Sequence, residues 1–208
     1  MSRRGRFITL EGGEGAGKST QVRALAAALA ERGVDCLVTR EPGGSDGAEA
    51  IRSLLLTGDE SRWGARAEAL LFAAARADHV EKAIRPALDA GRWVLSDRFV
   101  DSSLAYQGGA GELGIDRVRD LYRFGCGDFL PDRTLVLILD EGQKRASARD
   151  GGAADRIGAR SDAYHGAVEQ AFRDIAAQEP QRVRLIDASG SEADVTARLL
   201  DAVADLMP

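Results

Sequence analysis

Glu11-Gly12-Gly13-Glu14-Gly15-Ala16-Gly17-Lys18-Ser19-Thr20 is the stretch that decides the fold of this chain. Gly12 to Ser19 fits the pattern G-x-x-x-x-G-K-[ST], and its flanks have the right character. Phe7-Ile8-Thr9-Leu10, just before it, reads as a short buried strand. Residues 21–32, just after it, carry Val22, Leu25 and Leu29 at helical spacing, with Gly33 placed as a C-terminal cap. Strand, Gly-rich turn and helix in that order make a phosphate-binding loop. Glycines let successive backbone N–H groups point at an anion where a side chain would clash. The helix N-terminus adds its partial positive charge. In such a loop Lys18 reaches the β- and γ-phosphates and the Ser19 hydroxyl can ligate Mg2+. The reading therefore assigns Gly12, Gly13, Glu14, Gly15, Ala16, Gly17, Lys18, Ser19 and Thr20 to a nucleoside triphosphate.

Working outward, short apolar segments alternate with longer helical ones. Strands are expected at Phe7–Leu10, Asp35–Thr39, Trp93–Ser96, Thr134–Leu139 and Val183–Ile186. Helices are expected near 21–32, 46–57, 65–89, 115–124, 162–178 and 192–206. Several strands are almost continuously apolar, as strands covered on both faces are. Strands separated by helices imply βαβ units and a parallel sheet. The expectation is an α/β fold: one domain over 1–208, a three-layer sandwich with a five-stranded parallel sheet flanked by helices. Asp150-Gly151-Gly152-Ala153-Ala154, between Arg145, Arg149 and Arg156, reads as the tip of a short lid over roughly 144–158. A plain surface loop is the alternative there.

Composition narrows the classes. At 208 residues, 44% apolar and 29% charged, the chain is of ordinary globular make-up. A net charge of -5 gives no general pull toward nucleic acid or anionic membranes. No apolar run is long enough to span a bilayer. Cys36 and Cys126 have no metal-ligand spacing and read as free thiols of a reducing cytoplasm. With only His79 and His165, histidine-based metal or triad chemistry is not expected.

Further motifs fall at expected strand ends, where open α/β sheets bind ligands. Thr39-Arg40-Glu41-Pro42-Gly43-Gly44 puts Arg40 and Glu41 there, ahead of a tight turn. Taken alone, it is equally a turn with solvated charges. Trp93-Val94-Leu95-Ser96-Asp97-Arg98-Phe99 ends in a pair in which Asp97 could hold Mg2+ and Arg98 could grip a phosphate. A structural ion pair is the alternative, and Asp140 is a rival acidic strand end. On an expected helix, Phe72 and Arg76 are four apart and share a face. They suit a nucleobase, although aromatics at that spacing are usually core. Asp101-Ser102-Ser103-Leu104-Ala105-Tyr106-Gln107-Gly108-Gly109 offers hydroxyls and an amide just beyond Arg98.

Taken together, these segments resemble the bacterial thymidylate kinases. The resemblance rests on the loop at 11–20, Thr39 to Gly44, Asp97-Arg98-Phe99, Ser103 to Gly108 and Asp155-Arg156-Ile157, in family order from residue 7 to about 190. It implies transfer of the ATP γ-phosphoryl group to dTMP with Mg2+, feeding dTTP synthesis. It also implies a cytoplasmic homodimer, with the helix near 65–89 as the candidate pairing face. Residue by residue, it implies Glu14 near the acceptor 3′-hydroxyl and Glu41 in the acceptor site. Phe72 would stack on thymine, and Arg76 would meet its O4. Arg52 and Arg98 would bind the acceptor phosphate, Ser103 and Gln107 would read the base, and Tyr106 would pack by the sugar. Lys18, Arg98 and Glu14 would act in transfer, with Ser19 and Asp97 at the metal. Because the loop carries Gly15 where some relatives have arginine, Arg149 is the expected catalytic lid residue, with Arg145 toward ATP. Three departures stand out: Ser147 where related lids often carry arginine, Gly158 where glutamate commonly follows Asp-Arg-Ile, and Phe99 where tyrosine or histidine is frequent. Two rival readings are a kinase for another monophosphate and an ATP-driven switch or DNA-associated ATPase. Phe72 with Arg76 counts against the first, and the acidic balance against the second.

Overall fold

A computed structural model describes residues 4–139, 157–158 and 160–207, with Glu60 in its backbone alone. The loop's strand is β1 (Phe7–Gly12), and it is wholly buried. It leads into α1 (Lys18–Ala30), β2 (Cys36–Arg40) and α2 (Asp46–Leu56). Then follow α3 (Ala65–His79), α4 (Arg85–Asp89) and β3 (Trp93–Asp97). Next come α5 (Val100–Ser103), α6 (Ile115–Cys126) and β4 (Arg133–Ile138). The chain ends with α7 (Asp162–Gln178), β5 (Val183–Asp187) and α8 (Glu192–Ala202). The five strands are parallel, in the order β2-β3-β1-β4-β5.

Alternation along the central strands divides the core. Ile8, Leu10, Leu95, Leu135 and Leu137 pack with Val22, Leu25 and Leu29 of α1 and Val195 and Leu199 of α8. Phe7, Val94 and Val136 face the other way, against Phe99, Leu104, Tyr122, Val168 and Phe172. This is a sheet covered on both faces by helices, as expected for βαβ units. On the second face, a polar seam ties strands to helices. Thr9 and Thr134 hydroxyls lie 3.0 Å apart, Thr134 donates to Asp101 at 2.8 Å, and Arg182 grips both Asp101 oxygens at 2.7 and 2.8 Å. Cys36 and Cys126 are free thiols.

Strand and helix positions follow the sequence reading to within a few residues, with one break. The expected single helix over 65–89 runs to His79, passes through a π-helical turn at Val80–Ile84 and resumes as α4. Pro86 is the physical reason: it has no N–H, and its ring crowds the carbonyl four residues back. The turn widens just ahead of it, and Arg85 N–H bonds Val80 O, five residues back. A second π-helical turn, Leu104–Ala110, prolongs α5. Asp140 and most of the expected lid, with Arg145, Ser147, Arg149, Asp155 and Arg156, lie outside the described residues.

Candidate active site

The site begins where β1 ends. Gly12 has φ 133°, and a Cβ there would sit 2.5 Å from Leu137 O, so only glycine allows the chain to turn beside β4. Gly17 (φ 80°) is the N-cap of α1 and has no side-chain cap, so the first-turn N–H groups are left for an anion. Lys18 curls back to donate to Gly13 O at 2.6 Å. Burial, with Arg98 adding repulsion, pulls the Lys18 ammonium down to about 8.

β3 delivers the opposing groups. Register pairs Leu10 and Arg40 with Asp97, so three strand ends meet at one edge. The Ser19 hydroxyl donates to Asp97 in a short hydrogen bond. These two oxygens could hold a hard divalent cation. Among the described residues no cluster of three or more His, Cys, Asp or Glu could do so. That donor set suits Mg2+, which takes few protein ligands and keeps waters and substrate phosphate oxygens.

Arg98 sits in the left-handed region (φ 72°), a strained position for a side-chain-bearing residue. The surroundings hold it there: Arg98 N–H bonds Leu10 O at 2.9 Å, and the next N–H, of Phe99, bonds Glu11 Oε1 at 2.7 Å. Its guanidinium then meets Glu14 at 2.5 Å, and Gly12 O, Ser102 Oγ and Tyr106 OH at 3.2 Å each. Desolvation would raise the Glu14 carboxyl, but Arg98 and Lys18 outweigh it and hold it below the usual range. Burial lifts the Tyr106 phenol to about 12 against the pull of Arg98. Behind the loop, burial and Asp101 push the Glu11 carboxyl up to about 8.

The same cleft, about 750 Å3, continues to a second wall. Phe72 and Arg76 of α3 line it together with Ser103 of α5, Tyr106 and Gln107 of its extension, Glu41 and Pro42 after β2, and Arg52 of α2. Phe72 is half-buried. The Ser103 hydroxyl is buried and has no partner among the described residues. Arg76 is buried; its Nε donates to Glu41 at 2.7 Å and a terminal nitrogen donates to Phe99 O at 3.1 Å. Arg52 donates to Pro42 O at 2.5 Å. Arg40 turns outward to Glu49 on the rim.

The sequence-expected residues at 14, 15, 17–20, 41, 52, 72, 76, 97, 98, 103, 106 and 107 therefore line one cleft, while Gly12, Gly13 and Ala16 shape the loop behind its surface. Reading the sequence alone missed four others. His79 is fully buried between Glu41 (Nδ1, 3.1 Å) and Thr39 Oγ1 (Nε2, 2.7 Å). A carboxylate only accepts, so the ring proton belongs on Nδ1. Glu11, Glu68 and Arg160 also went unseen. The signal for Glu68 was present: 68, 72 and 76 repeat at four, one helical face.

Comparison with known proteins gives the family. The sequence matches the thymidylate kinase family over residues 10–199. It is 61% identical to a thymidylate kinase of Rhizorhabdus wittichii, over 98% of this chain and 99% of that one. It is 52% identical to one from a Bradyrhizobium species, over 96% and 90%. The solved thymidylate kinase of Ehrlichia chaffeensis superposes with a TM-score of 0.77 at 30% identity, covering 97% of this chain and 99% of that one. Matched along nearly its whole length in sequence and in fold, the chain belongs to the thymidylate kinase family and is a phosphotransferase that converts dTMP to dTDP.

Proposed function

We propose that this chain uses ATP with Mg2+ as phosphoryl donor and that the two ends of the cleft divide the work between donor and acceptor. The observation that carries this reading is the continuity of one cleft from Lys18, Ser19 and Asp97 to Phe72, Arg76 and Gln107. The uncapped N–H groups of the loop and the Lys18 ammonium take the donor phosphates, with Gly12 to Thr20 around them. Mg2+, held by Ser19 and Asp97, neutralises phosphate charge when it is bound with ATP. Arg98 and Arg52 take the acceptor phosphate, and Arg98 then shares its guanidinium between that group and Glu14. Phe72 stacks on the base, Arg76 donates to its O4, Ser103 and Gln107 read the remaining edge, and Tyr106 and Glu14 lie by the sugar. Glu41 holds Arg76 in place.

The acceptor phosphate oxygen is ionised at neutral pH and needs no general base, so these residues act by alignment and charge stabilisation. Arg149 as the catalytic lid residue and Arg145 toward ATP belong to the same reading and rest on the family resemblance. So does a cytoplasmic homodimer. In support of pairing, α3 and α6 pack on each other and expose Leu70 (56%) and Phe124 (95%).

ADP release from ATP and Mg2+, with each nucleoside monophosphate offered separately, tests the reading. Turnover with dTMP and weaker turnover with dUMP are expected. Preference for another acceptor overturns the base-wall assignment, and ADP release indifferent to every acceptor overturns the acceptor site.

A further inference from the structure

We infer that Glu68, held by Arg160, is a positioning residue that sets which way the Gln107 carboxamide faces and thereby makes the acceptor site read thymine against cytosine. The inference rests on the reading that Gln107 faces the acceptor base. Glu68 is 2% exposed, one turn before Phe72 on α3. Gln107 Nε2 donates to Glu68 Oε1 at 3.1 Å, and Arg160 donates to Glu68 Oε2 at 2.8 Å. Arg160 is itself fixed, with its guanidinium 4.6 Å over the Tyr164 ring and donating to that hydroxyl at 2.6 Å. The Tyr164 hydroxyl in turn donates to Tyr106 O, at 2.9 Å, beside Gln107.

A carboxylate offers acceptors only, so it must face the NH2 of an amide and never its oxygen. The bond to Arg160 orients the carboxylate and adds a charge-assisted tie. Gln107 can therefore not flip, and its Oε1 is left to the cleft that it lines. An acceptor in that position matches the N3–H of thymine or uracil. Cytosine carries no proton at N3 and presents an amino donor where thymine has O4. It would meet Oε1 with a lone pair and Arg76 with a second donor. Leaving such groups unpaired in a buried site is how a pocket rejects an analogue of the same size.

The test is kcat and KM with dTMP and dCMP for the native chain, Glu68→Gln and the double variant Glu68→Met with Arg160→Met. The double variant removes both ends of a buried pair, which is better tolerated than removing one. Folding is checked by thermal melting and by ATP affinity. In either variant the amide is free to turn. The ratio of kcat/KM for dTMP over dCMP is expected to fall by roughly 10- to 100-fold, mostly through KM, the worth of one buried unpaired group. Equal losses for both nucleotides, or an unchanged ratio in a folded variant, overturn the inference and leave Glu68 a packing residue. Failure of the native chain to prefer dTMP would instead overturn the functional reading beneath it.

Discussion

The Gly-rich loop end of the cleft and the wall opposite it, to which the proposed function gives the base, are built by opposite means. At the loop the backbone shapes the surface: glycines at φ 133° and 80° and an uncapped helix start make a cradle, and Lys18 follows directly in the chain. Eight consecutive residues carry that geometry. At the wall side chains shape the surface, brought from α2, α3, α5 with its extension and the turn after β2. They are held by buried pairs such as Arg76 with Glu41 and Gln107 with Glu68, 35 and 39 residues apart. A backbone device tolerates any side chain that fits and recognises only charge. A side-chain device needs partners to orient it, and in return it can tell one base from another.

The sharpest way to break this division is to strike each end separately. Lys18→Ala should lower kcat by about 10²–10³, the usual cost of one preorganised electrostatic contact, while dTMP affinity measured without ATP changes little. A comparable loss of dTMP affinity would mean that the two ends are one site. Phe72→Ala should raise the dTMP Kd about 10- to 100-fold through lost stacking area and leave the ATP Kd nearly as it was. Calorimetry with each nucleotide alone distinguishes this from a general core defect, which would weaken both. His79→Ala probes how far the wall depends on buried support. Leaving Glu41 and Thr39 without their shared partner should cost about 1–3 kcal/mol of stability, read as a lower denaturant midpoint at unchanged slope. If the midpoint is unmoved, the histidine is not holding Glu41.

The smallest effect expected is a pH dependence confined to the loop. Burial pulls the Lys18 ammonium down to about 8, and phosphates bound beside it would raise it again. ATP affinity should be full below about 8 and decline as pH rises through that value toward the bound-state pKa, by at most tenfold per pH unit for a single proton. The dTMP affinity should lack that inflection. An ATP affinity flat from pH 7 to 9.5 would show that Lys18 stays charged throughout.

Legibility in the sequence follows the same division. The loop, five strand cores and the helix at 162–178 were readable because glycine placement, apolar runs and helical period are local signals. Phe72 and Arg76 could be paired on one face, yet spacing alone favoured core packing for the aromatic. The partner Glu41 lies on another element, and the contact exists only after α3 packs beside the end of β2. Arg40, one residue earlier, carries the same promise in the sequence and turns out to the rim. His79 was set aside because two histidines, His79 and His165, are too few for metal or triad chemistry, and the fold made it the buried tie between Thr39 and Glu41. The π-helical turn before Pro86 was hidden within an otherwise regular apolar period.

What the sequence by itself determined is the phosphate-binding edge and the parallel α/β plan around it, because both follow from backbone conformations that neighbouring residues impose on one another. Only the tertiary structure decided which charges enter the cleft and which way they face. Arg76 against Glu41, the left-handed Arg98 between Leu10 and Glu11, and Gln107 turned by Glu68 and Arg160 each depend on groups distant in the chain. Their orientation is set by desolvation, since a buried polar atom has to take the partner that packing supplies.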